Sequence, residues 1–128
     1  MMKRHTIGTL IIGVLLATCG IERSAAEGHN PRIQRGVMHF NEPVQLLNET
    51  LKGEYLFLHH EGMMERGKPC IFVYRHDSGG FVGSFHCRPV NREKAERFIV
   101  ILSSSVPPNL PAIEEIQFAG STEGHQVP

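Results

Sequence analysis

The chain has 128 residues, with 13 basic residues, 13 acidic residues and eight histidines. That length holds one domain. The balanced charge, with no Lys/Arg cluster, excludes the electrostatic footprint of a nucleic-acid binder. No apolar run reaches the roughly 20 residues that a membrane-spanning helix requires.

Lys3, Arg4 and His5 open the chain, an apolar run from Ile7 to Ala17 follows, and Ser24-Ala25-Ala26 supplies small residues. This order predicts a signal helix cleaved after residues 1–26 and an exported product, periplasmic or extracellular. A buried N-terminal helix of the domain is the competing reading. Leu16-Ala17-Thr18-Cys19 resembles a lipobox, so a lipid anchor at Cys19 is the alternative to cleavage. Thr18 stands where that motif normally carries Gly, Ala or Ser. Cleavage removes Lys3, Arg4, Arg23 and Glu22, leaving ten basic and twelve acidic residues and a formal charge of −2. No second apolar segment gives the mature chain a transmembrane span.

Residues 27–35 are polar, contain Pro31 and read as a flexible leader. The β domain is expected over 36–119, where short apolar stretches are separated by Gly, Pro, Asn and Asp. Val37–Phe40 is a predicted strand, turned at Asn41-Glu42-Pro43, and Val44–Leu47 is a second. Glu54–His59, dense in Tyr, Leu and Phe, is a third. His60–Pro69 reads as a loop with one helical turn at Met63–Arg66. Cys70–Tyr74 and Phe81–Cys87 form the clearest strand pair, joined by the hairpin turn Asp77-Ser78-Gly79-Gly80. Asn91–Arg97 is charged and suits one helical turn. Phe98–Leu102 is continuously apolar and fits a strand buried on both faces. Ser103–Pro111 is a loop, Ile113–Phe118 a last strand, and 120–128 a polar tail. About seven short strands predict an all-β domain, a small β-sandwich or barrel.

A hairpin loop of Ser78-Gly79, or of Asp77 to Gly80, sets Cys70 opposite Cys87 and Phe72 opposite Phe85 on the same face. A Gly79-Gly80 turn would shift that register. In an oxidising compartment the two cysteines are expected to form a disulfide. Reduced core thiols and metal ligands are the other readings.

Seven histidines remain after cleavage. His59-His60 precede Met63-Met64, a ligand mixture that suits copper or zinc. Neighbours on a strand point to opposite faces, however, so His59 and His60 meet one metal only if the strand has ended. Two methionines are equally explained by a loop covering the core. His86 and Cys87 diverge for the same reason as the histidines, and nothing after Cys87 completes a blue-copper pattern. No G-x-S-x-G elbow, C-x-x-C pair, H-E-x-x-H or phosphate-binding Gly loop occurs. Glu114 and Glu115 diverge as strand neighbours.

Phe40-x-x-Pro43-Val44, Leu51-x-Gly53-Glu54-Tyr55-x-Phe57, Gly67-Lys-Pro-Cys70, Ser84-Phe-His-Cys87-Arg-Pro-Val90 and Phe118-Ala-Gly-Ser-Thr-Glu123-Gly-His125 together resemble a family of small exported β-domain proteins of bacteria. The resemblance covers most of residues 36–127 and implies no activity and no site residues. The expectation is a non-enzymatic exported β-domain without a cofactor, with a binding or structural role in the cell envelope and an unidentified partner. The alternative is a periplasmic copper- or zinc-binding protein using His59, His60, Met63 and Met64.

Overall fold

The computed structural model describes residues 32–128. The signal segment 1–26, the lipobox Cys19 and the leader as far as Pro31 lie outside the described residues. Eight strands follow: β1 (Ile33–Leu46), β2 (Glu49–His60), β3 (Ile71–Arg75), β4 (Phe81–Phe85), β5 (Arg88–Asn91), β6 (Ile99–Leu102), β7 (Ile113–Gln117) and β8 (Glu123–Gln126). They make two antiparallel four-stranded sheets, in the orders β1-β2-β3-β4 and β5-β8-β7-β6. Among the described residues no helix is long and apolar enough to cross a membrane.

One apolar core draws on both sheets. Leu51, Tyr55 and Phe57 alternate inward along β2, Ile71 and Val73 along β3, and Ile113, Ile116 and Phe118 come from the facing sheet. The period of two is what a strand with one buried face requires. The backbone N–H of Gln45 donates to Pro111 O at 2.8 Å and ties the end of β1 to the entry of β7.

Several expected elements differ in the structure. The two strands anticipated around Asn41-Glu42-Pro43 are one 14-residue strand. The register steps from Phe40 opposite Gly53 to Val44 opposite Leu51, so residues 41–43 form a bulge. Pro43 is tolerated because β1 is an edge strand and its missing N–H breaks no outer ladder. The same strand begins at Ile33, inside the expected leader. Residues 91–97 form no helical turn. They cross the outer face of the second sheet, where Arg92 and the Glu93 carbonyl bind Glu115 and Gln117 of β7. β6 is an edge strand with Ile101 and Leu102 exposed, not a strand buried on both faces.

The largest difference lies at the C-terminal end. The expected polar tail contains β8, which lies between β5 and β7 in the interior of its sheet. Its polar sequence conceals it, yet His125 is 1% exposed.

The β3–β4 hairpin corrects the register read from the sequence. Arg75 N–H donates to Gly80 O at 2.7 Å and closes a four-residue loop, with Gly79 at φ 76°. Tyr74 pairs with Phe81, and a bulge shifts the ladder so that Phe72 lies opposite Ser84 and Ile71 opposite Phe85. Val82 is the extra residue. Phe72 and Phe85 therefore occupy opposite faces. The cysteines meet just beyond the ladder, where the Cα atoms of Cys70 and Cys87 are 6.3 Å apart and the sulfurs are bonded. The disulfide exists, then, without the aromatic pairing expected beside it.

Candidate metal centre

At one end of the sandwich the inner faces of β2 and β8 carry histidine instead of apolar side chains. The alternation Tyr55, Phe57, His59 places His59 inward as the last buried residue of β2. On β8, Glu123 and His125 are two residues apart and so share a face. The His59 and His125 rings stack with centroids 4.1 Å apart and planes 35° apart. Phe118 packs against both, at 6.0 Å and 5.8 Å. Glu123 Oε1 is 3.8 Å from His125 Nδ1. On the same side, Cys87 Sγ is 3.5 Å from that nitrogen. A cavity of about 290 Å³ opens over this cluster, bordered by His59, His60, Met64, Cys87, Glu123 and His125.

The hydrogen bonds around the two rings are unequal. Gln34 faces His59 across the β1–β2 ladder, and His59 Nδ1–H donates to Gln34 Oε1 at 2.9 Å. That bond fixes the tautomer and leaves Nε2 with its lone pair, the usual outer support of a metal-binding imidazole. His125 Nε2 is buried and has no hydrogen-bond partner. A buried unpaired nitrogen costs about 1–3 kcal/mol, so the fold holds His125 there against its own solvation.

Both imidazoles are held neutral. Burial, then the neighbouring His125, lowers the His59 pKa from 6.5 to about 4. Burial also lowers that of His125, partly opposed by the charge of Glu115. Neutral imidazole is the ligating form. His59, Glu123 and His125 each present a ligand atom within 4.8 Å of the others. A tetrahedral zinc ion with bonds of roughly 2.0–2.1 Å would need those atoms drawn somewhat closer. In a second set, His59 with Cys70 and Cys87, the ligand atoms also lie within 4.8 Å of one another.

Only part of the His/Met group anticipated from the sequence lies together. His60 points to the other face of β2, edge-on to Phe72 at 4.9 Å, although it also borders the cavity. Met63 turns away, its Sδ accepting from Arg66 Nη2 at 2.9 Å. Met64, in the 3-10 turn Met64–Arg66, sits at the cavity rim. His59 is the anticipated residue at the centre. Sequence reasoning missed Gln34, Glu123 and His125. The Glu123-x-His125 spacing is the available signal, and the polar run around it masks the strand.

The lowered histidine pKa values predict a pH-dependent stability. An unfolded chain takes up these protons as pH falls below about 6.5, while folded His59 resists them until about 4. The unfolded state binds more protons in that window, so stability falls with acidification. Thermal unfolding of the metal-free protein should show the melting temperature dropping from pH 6.5 toward pH 4, with a shallower slope in His59→Gln. Equal slopes would mean that His59 titrates normally in the folded protein.

No family model, curated protein or solved structure matches the chain.

Proposed function

We propose that this chain is an exported, non-enzymatic β-domain that binds a divalent transition metal, zinc or copper(II), through His59, His125 and Glu123. One observation carries the reading: two buried neutral imidazoles are stacked beside a carboxylate, and one of their ring nitrogens has no partner. Nitrogen and oxygen donors suit zinc and copper(II). Three protein ligands leave a fourth position, and the cavity above them has room for water or an exogenous donor. The signal-like order of residues 1–26 and the Cys70–Cys87 disulfide support an extracytoplasmic setting.

Calorimetric titration of untagged protein taken from the periplasm tests this. One equivalent of Zn(II) or Cu(II) should bind. His59→Ala and His125→Ala should each weaken binding more than about tenfold, and Gln34→Leu about tenfold, the range expected for an outer-shell partner. His39→Ala, at an exposed position on β1, serves as the control and should bind as the parent does. Binding that does not change in the His59 and His125 variants, with folding intact, would overturn the proposal.

A further inference from the structure

We infer that the Cys70–Cys87 disulfide is the redox-switchable half of this centre: reduction by a small thiol or dithiol converts it, with His59, into a site for a soft metal ion such as Cu(I). The inference rests on the reading above for the role of His59. The observation behind it is that His59 belongs to two ligand sets at once. One contains Glu123 and His125, the other Cys70 and Cys87, and in each set the ligand atoms lie within 4.8 Å of one another. While the cysteines are bonded, their sulfurs are poor ligands, because thiolate is the binding form. The nitrogen–oxygen set is then the available one. Once they are reduced, two thiolates beside an imidazole form a donor set that favours Cu(I) and other soft ions. A single His59 lone pair cannot serve both sets, so the two occupancies exclude each other.

The approach to the bond is one-sided. Both cysteines are buried, but Cys87 borders the cavity and is 5% exposed, whereas Cys70 is 0% exposed. Of the two sulfurs, that of Cys87 is therefore the one on the side from which a thiolate arrives. A bond forms between the reductant sulfur and Cys87 Sγ, the Cys70–Cys87 bond breaks, and its electron pair leaves on Cys70 Sγ. The Cys87 backbone N–H points at that leaving sulfur from 3.3 Å and stabilises its developing charge. A second reductant thiolate then attacks the reductant sulfur of the mixed disulfide and releases Cys87 as thiolate. Two reductant thiols lose two electrons and two protons and become a disulfide, and the protein disulfide gains them as two thiols. Metal binding afterwards expels those two protons.

The test compares oxidised protein with protein reduced by a phosphine, using Cd(II) as the probe. The reduced protein should bind one equivalent of Cd(II) and develop an ultraviolet thiolate-to-metal charge-transfer band, which the oxidised protein lacks. His59→Ala should weaken Cd(II) binding more than about tenfold without removing the band. The Cys70→Ser/Cys87→Ser double variant should lose the band and keep the Zn(II) binding of the oxidised parent. Where reduction unfolds the chain, recovery of its circular dichroism on adding Cd(II) supports the inference, and failure to recover overturns it. Folded reduced protein without the band, or with binding indifferent to His59, also overturns it. Zn(II) and Cu(II) titration of the oxidised protein reads the proposed function separately, so either idea can fail alone.

Discussion

Phe118→Ala should lower stability by about 3–5 kcal/mol, the cost of truncating a fully buried aromatic side chain and leaving a cavity. Phe118 is 1% exposed and follows directly after β7. Its ring packs on Phe98 at 5.1 Å and on both histidines, so it separates the apolar core from the polar end of the sandwich. Removing it opens a path for water toward His59 and His125. The burial that holds the His59 pKa near 4 is then relieved, and that pKa should rise toward its ordinary value. Urea unfolding should show a lower midpoint with an unchanged slope, and the melting temperature should fall by more than about 10 °C for a domain of this size. Phe81→Ala, at an exposed position on edge strand β4, should stay within about 0.5 kcal/mol of the parent. A loss below about 1 kcal/mol for Phe118→Ala would show that the aromatic ring does not seal the core.

The elements legible in the sequence are those whose pattern comes from burial on one face. Tyr55, Phe57 and His59 alternate along β2, and the Asp77–Gly80 turn separates two apolar runs; both features survive in the fold. The illegible elements break that link between pattern and burial. β8 reads Glu-Gly-His-Gln, with no apolar residue, because its inward side chains serve the histidine cluster and its outward side is packed by Glu115. β6 is apolar although it lies at an edge, so hydropathy alone overstates its burial. The hairpin register depended on a bulge at Val82, which no residue type announces. The candidate site divides in the same way. His59 could be read from its strand, but Gln34 reaches it only through the β1–β2 register and His125 only through the packing of the two sheets.

Gly124→Ala should destabilise the domain by about 2–4 kcal/mol, and Glu115→Ala in the same chain should recover much of that loss. A methyl group at position 124 would fall on Glu115 Oε2, within 3.0 Å of Glu115 Cδ and 3.1 Å of Val90 Cγ2. Glu115 has little freedom to yield. Its carboxylate is almost fully buried and is gripped by Arg92 Nε at 2.8 Å and Arg92 Nη2 at 2.7 Å. That pairing holds its pKa below the usual carboxylate value, despite a burial effect that acts the other way. Displacing the carboxylate strands a buried charge, one of the few mechanisms that make a single substitution costly. Deleting it costs less, because Arg92 is largely open to solvent and keeps its hydration. The two changes should therefore be non-additive, with a coupling of at least about 1 kcal/mol in a double-mutant cycle measured by urea unfolding. Gly124 also separates Glu123 from His125, so Gly124→Ala should weaken Zn(II) binding while the double variant restores it. Additive stabilities would show that position 124 has room and that the strand, not the carboxylate, adjusts.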